Sequence, residues 1–229
     1  MAEIETLLAA LLPPQLLTLR PATQATLQGW ACRQRQRLGD DGAAAPPWPS
    51  FPYQDLPPSA RLAYELVGWS NVGAYLPLFA ADPSPFVDAR FKHRAALETY
   101  AVALLTDLRY SWKRGGCDWL MRRRAGGEAL GILHLYDLSH EVIGPQVPHC
   151  SVGYAVAAPL RRQGYGLEAL RHLLVQAAAL FGRTEAQALS TDGNLASEAL
   201  LRRSGFAVLE ERPAAPGRAA ERLWRRGLL

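Results

Sequence analysis

A short run of arginine and glycine joins a strand-like segment to a strongly helical one. The run is Arg161-Arg162-Gln163-Gly164-Tyr165-Gly166, the strand-like segment spans 151–157, and the helical segment spans 167–181. The first turn of a helix carries N–H groups without helical partners, and the helix dipole adds partial positive charge there. Because the arginines add full charge, the run predicts a pyrophosphate site rather than only a tight turn.

A second group of polar residues lies at the start of the next predicted helix. Asn194 precedes the helix 195–204 as a plausible N-cap, and Ser197 falls in its first turn. Gly205 stands at the position after the helix end, where a left-handed conformation is common.

These motifs occur in the order and spacing of a known family. They are Gly153-Tyr154-Ala155-Val156, Arg161-x-x-Gly164-x-Gly166 with Leu167-Glu168-Ala169-Leu170, Asn194-x-x-Ser197 with Gly205-Phe206, and Leu17-Thr18-Leu19-Arg20-Pro21. The set resembles the GCN5-related N-acetyltransferases (GNAT), and more narrowly the RimJ/RimL-like branch that acetylates the N-termini of ribosomal proteins. The resemblance covers residues 115–210 well and the first strand moderately; residues 40–115 match only in general layout.

The resemblance implies acetyl-coenzyme A as the donor. The backbone N–H groups of the turn from Arg161 through Arg162, Gln163, Gly164 and Tyr165 to Gly166 would hold the pyrophosphate. The edge of the strand Tyr154, Ala155 and Val156 would pair with the pantetheine amides, and a backbone N–H there would polarise the thioester carbonyl. Asn194 would bind the cofactor arm, and Ser197 would lie near the sulfur. Glu168 is interpreted as structural, since a carboxylate is favoured in the first turn of a helix.

The sequence departs from the family at two catalytic positions. Many relatives carry a glutamate base two residues before the Gly-Tyr pair, where this chain has Ser151. Many members also carry a tyrosine acid in the last helix, where this chain has Leu201. Ser197 is then the candidate that donates a proton to the leaving thiolate, directly or through water.

Two histidines are candidates for the missing base. His134 alternates with Leu133 and Leu135 on a predicted strand, and His149 precedes the next strand. Histidine suits proton transfer near neutral pH. The alternative is that His134 is a packed core residue and His149 a solvated loop residue. Further loop candidates follow: Asp137, His140 and Glu141.

A weak base affects the choice of acceptor. An α-amino group has a pKa of about 8, so roughly a tenth or more is neutral in the cytoplasm. A lysine side chain, with a pKa of about 10.4, is neutral at about one part in a thousand. The missing glutamate therefore favours an α-amine or another amine of low pKa.

Periodicity and turn residues predict the elements that position these groups. The predicted strands are 16–20, 118–124, 129–138, 150–157, 185–190, 206–210 and 222–226, and the predicted helices are 25–38, 60–76, 93–108, 167–181 and 195–204. They predict an α/β GNAT fold with a mixed, mostly antiparallel central sheet and helices on both faces.

We expect one domain over residues 1–229, with an acetyl-CoA-binding core at 116–229. Residues 1–115 would supply the first strand, a Pro-rich loop at 42–58 and helices on the acceptor side. The acceptor groove would lie between the helices of 60–110 and the loop 139–149.

Composition and charge give further expectations about thiol state, metal binding and location. The 229 residues carry a net charge of +4 and three cysteines, without a Cys-x-x-Cys pair. We expect reduced thiols, no metal site, no membrane span and a cytoplasmic location. Arg122-Arg123-Arg124 is interpreted as a solvated sheet edge rather than a nucleic-acid patch. The apolar pair Leu223-Trp224 could support a homodimer contact.

The sequence therefore predicts an N-acetyltransferase acting on a primary amine, in the first place a protein or peptide N-terminus. Two alternatives stay open: a small-molecule enzyme for an antibiotic, polyamine or amino sugar, and a catalytically silent coenzyme A-binding module.

Overall fold

The computed structural model describes residues 55–67, 71, 74, 78–79, 82–87, 116–138 and 149–228. Within these ranges the chain forms a seven-stranded sheet and two α-helices. The strands are β1 Leu62–Leu66, β2 Cys117–Arg123, β3 Ala129–Tyr136, β4 His149–Val156, β5 Glu185–Thr191, β6 Ala207–Arg212 and β7 Glu221–Gly227. The helices are α1 Tyr165–Phe181 and α2 Leu195–Arg203. The elements predicted at 16–20, 25–38 and 93–108 lie outside the described residues.

The strand order in the sheet is β1-β2-β3-β4-β5-β7-β6. Every neighbouring pair is antiparallel except β4 with β5, which is parallel. This parallel pairing joins His149–Ser151 to Glu185–Gln187 and then stops. The predicted mixed, mostly antiparallel sheet is therefore confirmed, and its one parallel pair is short.

The strands predicted in the C-terminal half are confirmed, because local signals mark their ends. The β2–β3 hairpin turns at Gly126 and Gly127, whose φ angles are +93° and +69°. Such left-handed values cost glycine little and other residues more. Helix α1 ends at Gly182 with φ +61°, as its position predicted.

The helix predicted over 60–76 is wrong at its start. Leu62 and Tyr64 are 0% and 1% exposed, while Ala63 and Glu65 are only partly buried. This alternation has the period of a strand, and β1 pairs with β2 at one end of the sheet that the described residues form. The helix prediction used local propensity alone. Local propensity misses this strand because its partner, β2, lies far along the chain.

The position of β1 also corrects the interpretation of the arginine run. Strand β2 lies inside the sheet, so Arg122 and Arg123 are not on its edge. Arg122 pairs with Glu65 at 2.7 Å, and Arg123 pairs with Glu128 at 3.0 Å. Carboxylates thus neutralise much of the charge of this run.

Helix α1 packs its apolar stripe on one face of the sheet and forms the core. The buried residues on the helix are Ala169, Leu170, Leu173, Leu174 and Ala177, and those on the sheet include Trp119, Leu133, Leu135 and Val152. Trp224 belongs to the same core, is 1% exposed and donates its indole N–H to Ser190 at 2.8 Å. It is therefore not available for the dimer contact that the sequence predicted.

The thiols of Cys117 and Cys150 are free and buried. Burial raises the pKa of Cys150 to about 12, so this thiol stays protonated and unreactive near neutral pH. Cys32 lies outside the described residues.

Gly131 in β3 allows the close approach of β3 to β4. A Cβ at this position would clash with the carbonyl oxygen of Ala155 and lie 2.5 Å from Met121 Cε. We expect Gly131→Ala to lower the free energy of unfolding by about 1–3 kcal/mol, because β4 must shift. Gly227→Ala is the control, since nothing lies within 4 Å of its Cβ position. Urea denaturation measures both, and equal losses would contradict this account.

Candidate active site

The main opening in the sheet lies where β4 separates from β5. Beyond Ser151, β4 is bonded to β3 on one side, and its other edge meets no strand among the described residues. Tyr154, Ala155 and Val156 lie on this edge. Free backbone groups on a strand can pair with an extended ligand as another strand would. The edge therefore suits the amide-bearing arm of the predicted cofactor.

The turn after β4 presents backbone N–H groups. A 3₁₀ turn at Ala158–Leu160 leads to Arg162 with φ +63° and to Gly164 with φ +82°, the N-cap of α1. The N–H groups of residues 162–167, Gln163 among them, have no backbone acceptor within the described parts of the chain. Alternating left-handed residues at a helix start form a concave anion site. This geometry has room and donors for a pyrophosphate, and the pyrophosphate site stays a prediction.

The side chain of Arg161 is 34% exposed, but its guanidinium is bonded to two groups of the protein. Its Nε donates to the carbonyl oxygen of Val156 at 2.9 Å, and its Nη2 is paired with the carboxylate of Asp82, whose side chain is 1% exposed. The guanidinium thus ties the turn to the end of β4. Its backbone N–H donates to the carbonyl oxygen of Ala158 at 3.4 Å, so Arg161 stabilises the turn, and the N–H groups open to a phosphate begin at Arg162.

Glu168 and Arg61 also stabilise the turn, and the sequence did not predict their contact. Glu168 in α1 accepts hydrogen bonds from Ser59 Oγ at 2.7 Å, from Arg61 N at 2.8 Å and from Arg61 Nε at 2.6 Å. Arg61 Nη1 also donates to the carbonyl oxygen of Gln163 at 3.0 Å. Glu168 is structural, as predicted, but Arg61 was assigned to a helix and its role was missed.

Tyr165 and Gly166 are closely packed against neighbouring residues. Tyr165 is 7% exposed, and its ring centroid lies 4.6 Å from the Arg61 guanidinium. A Cβ on Gly166 would lie 2.9 Å from Leu200 Cδ1, so this glycine lets α1 approach α2. Both can therefore contribute only backbone groups to a ligand.

A pair of hydroxyls lies on the helical face of the opening. Tyr154 Oη and Ser197 Oγ share a hydrogen bond of 2.9 Å, and Asn194 Oδ1 accepts from Ser197 N at 3.2 Å, which confirms the N-cap. Burial raises the pKa of Tyr154 to about 12, although the bond to Ser197 lowers it. The phenol therefore keeps its proton at neutral pH. Leu201, at the family's tyrosine position, is fully buried.

His134 lies across from Gly153 on the other face of the sheet. The two residues are register partners, and a Cβ on Gly153 would lie 3.2 Å from His134 Cδ2. His134 is 8% exposed, and its Nδ1 is hydrogen-bonded to Asp118 Oδ1. The residue is thus buried as the structural alternative predicted, but it is held by a carboxylate that sequence reasoning had not singled out.

The other candidate bases fall elsewhere along β4. Ser151 Oγ donates to the carboxylate of Asp137, which follows β3 with φ +60°. His149 is the first residue of β4 and pairs with Glu185. It is four residues from Gly153, about 13 Å along a strand, so the structure does not bring the two histidines together. His140, Glu141 and most of the predicted acceptor groove lie outside the described residues.

The sequence matches a family model described as "Acetyltransferase (GNAT) domain" over residues 65–207. The chain therefore belongs to the GNAT acetyltransferases, which use acetyl-CoA to acetylate amines. The open edge of β4 and the N–H groups of the following turn fit this cofactor. No curated protein matches the sequence.

Solved structures show the same fold at low identity. An acetyltransferase of the GNAT family from Bacillus anthracis is 10% identical with a TM-score of 0.59, covering 76% of this chain and 99% of that one. RimL, a ribosomal L7/L12 α-N-protein acetyltransferase in complex with coenzyme A, is 17% identical with a TM-score of 0.60, covering 76% and 98%. A chimera of the spermidine N-acetyltransferase SpeG from Vibrio cholerae and hSSAT is 8% identical with a TM-score of 0.60, covering 74% and 96%.

The described residues contain no group of three or more His, Cys, Asp or Glu side chains arranged to hold a metal ion. Among the helices in these ranges, none combines the length and apolar character needed to span a membrane.

The Glu168 bonds generate a prediction about pH. Desolvation raises the pKa of Glu168, but the hydrogen bonds from Arg61 and Ser59 lower it more, so the net pKa is below 4.5. The carboxylate therefore stabilises the fold above pH 4.5, and this contribution is lost as pH falls through the lowered folded value. We expect Glu168→Gln to reduce the free energy of unfolding at pH 7, and the difference from wild type to shrink below pH 4.5.

Urea denaturation across pH measures that difference, and calorimetry with coenzyme A measures whether a loosened turn binds more weakly. Glu128→Gln is the control, because its ion pair with Arg123 is half exposed and contributes little. A loss for Glu168→Gln that is constant from pH 3 to pH 7 would contradict the assignment.

Proposed function

We propose that this GNAT acetyltransferase transfers the acetyl group of acetyl-CoA to the α-amine of a protein or peptide N-terminus, as the RimJ/RimL-like branch does. One observation carries the proposal: His134, bonded to the carboxylate of Asp118, lies across from Gly153 on β4. It is the candidate base in place of the glutamate that many relatives carry. Such a base suits an amine with a pKa of about 8 better than a lysine with one of about 10.4. The likeness of the motifs to that branch supports the same acceptor.

Three residues have proposed catalytic roles. His134 is the first candidate for the base because its ring lies against Gly153, beside the open edge of β4. His149 is the second candidate, farther along the same face. Ser197 is the acid, since its hydroxyl shares a hydrogen bond with the protonated phenol of Tyr154. Asn194 and the main chain of the turn would position the cofactor.

The proposed step moves the acetyl group from the sulfur of acetyl-CoA to the amine nitrogen. The neutral amine nitrogen forms a bond to the acetyl carbon while the carbon–sulfur bond breaks and its electron pair stays on sulfur. The surplus proton of the amine passes to the base. Ser197 gives a proton to the thiolate and regains one through Tyr154 and solvent. Base and acid lie on opposite faces of β4, because alternate residues of a strand point to opposite sides.

A polyamine acceptor has less support from the site. Such a substrate carries several positive charges and needs carboxylates free to bind them. Within the described ranges, three carboxylates near the opening are paired with a basic side chain, and a fourth, Asp137, is bonded to the neutral hydroxyl of Ser151. These pairs are Asp118 with His134, Asp137 with Ser151, Asp82 with Arg161, and Glu168 with Arg61 and Ser59.

The acceptor class can be tested by thiol release from acetyl-CoA. We expect turnover with peptides that have a free N-terminus, and at least about tenfold lower kcat/KM for N-terminally blocked peptides that carry lysine, because fewer of their amines are neutral. Mass spectrometry would locate the acetyl group. Turnover with spermidine or an amino sugar alone would favour a small-molecule enzyme, and coenzyme A binding without release by any amine would favour a silent module.

The acid can be tested by removing one hydroxyl. We expect Ser197→Ala to lower kcat about 10²-fold, because proton donation to the thiolate is lost, while the Kd of coenzyme A changes less than about threefold. Ser204→Ala is the matched control, since the buried Ser204 Oγ at the end of the same helix has no hydrogen-bond partner. An unchanged kcat for Ser197→Ala would exclude Ser197 as the acid.

A further inference from the structure

A buried carboxylate interrupts the most apolar part of the sheet. Asp118 is 0% exposed, and its neighbours in β2, Cys117, Trp119, Leu120 and Met121, are also fully buried. Burying an ionised carboxylate is costly unless it is paired and hydrogen-bonded. The position of Asp118 therefore needs an explanation beyond packing.

The carboxylate is paired with a histidine whose ring is fixed on several sides. Asp118 and His134 are register partners on β2 and β3, and Oδ1 is bonded to Nδ1. The Tyr136 ring stacks on the imidazole with centroids 5.5 Å apart and planes inclined by 13°, and its hydroxyl lies 3.4 Å from the same Oδ1. Gly153 closes the remaining side, where a Cβ would press on the ring.

This arrangement decides which ring nitrogen carries the proton. A carboxylate only accepts hydrogen bonds, so Nδ1 must be the donor and the neutral ring keeps its lone pair on Nε2. In the parts of the chain that the structure describes, Nε2 has no hydrogen-bond partner. A tenth of the His134 side chain remains exposed, whereas the side chain of Asp118 is fully covered. The free nitrogen is thus the one that can meet a proton.

The second oxygen of the carboxylate adds an independent observation. Asp118 Oδ2 is buried and has no hydrogen-bond partner. The imidazole of His134 is therefore the main partner of the negative charge of Asp118. This charge stabilises the ring most when the ring takes up a proton. In serine proteases, a buried aspartate next to the catalytic histidine has this effect.

We propose that Asp118 is a positioning residue for acetyl transfer: it holds His134 in the Nδ1–H tautomer and stabilises the imidazolium formed when Nε2 accepts the proton of the amine. This inference rests on the proposed role of His134 as the base. The amine loses one proton to Nε2 as its nitrogen bonds to the acetyl carbon. The imidazolium then returns that proton to solvent, while Asp118 stays ionised throughout.

The first experiment reads the tautomer without turnover. Long-range ¹H–¹⁵N NMR spectra of the histidine rings, with His134→Gln for assignment, report which nitrogen of His134 is protonated. We expect Nδ1–H in the wild type at alkaline pH and Nε2–H in Asp118→Asn, where the amide can donate to Nδ1. An Nε2–H tautomer in the wild type would overturn the proposal even if the enzyme acetylates peptides.

The second experiment uses kinetics on the folded enzyme. We expect Asp118→Asn to lower kcat about 10²-fold or more, with peptide KM and coenzyme A Kd changed less than about threefold. We also expect Asp118→Asn to add little loss to His134→Gln, because both act through one proton transfer. Leu120→Ala, buried on the same face of β2 and outside the site, is the control for lost stability and should keep its kcat.

The outcomes separate this inference from the proposed function. If Asp118→Asn keeps its kcat, or if the losses of the two variants simply multiply, the positioning role is wrong. If the wild type acetylates no amine at all, the proposed function fails, and the tautomer measurement still decides how Asp118 and His134 interact.

Discussion

The site depends on a parallel pairing that is only three residues long. His149–Ser151 hold β4 against β5, and no further pairing follows, so the two strands are joined at one end and free at the other. A longer ladder would use the backbone groups of β4 that a ligand needs. Because β4 is also the strand that leads into α1, the free edge and the N–H groups of the turn lie at the same end of the sheet. The candidate cofactor site therefore consists mainly of main-chain groups.

Polar side chains around this opening occur in bonded pairs. Tyr154 is bonded to Ser197, His134 to Asp118, and Ser151 to Asp137. Each pair reduces the cost of placing polar atoms in a largely apolar sheet, and each fixes the orientation of its members. The strand alternation assigns Tyr154 to one face and Gly153, which makes room for His134, to the other. One stretch of backbone thus separates the proposed proton donor, Ser197, from the proposed proton acceptor, His134.

The sequence predicted what local signals determine. Glycines at left-handed positions marked the ends of α1 and the β2–β3 turn, and the capping motif marked the start of α2. Strand β1 was missed because five residues, Leu62–Leu66, become a strand only through pairing with β2, more than fifty positions later. Arg61 and Asp118 were missed for the same reason, since their roles depend on Glu168 and His134 across the fold. The motif residues could be recognised, but the side chains that hold them could not.

The bracing of the turn by β1 has a consequence for synthesis of the chain. Glu168 is bonded to the main chain of Arg61, 107 positions earlier. At translation rates of about 5–20 residues per second, an emerging β1 waits about 5–20 s for that carboxylate. For about the first half of this interval, until β2 emerges, Leu62 and Tyr64 belong to an unpaired apolar segment, the type that pairs wrongly with other chains. The yield of folded protein therefore depends on the rate of elongation and on chaperones that bind this segment before β2 is made.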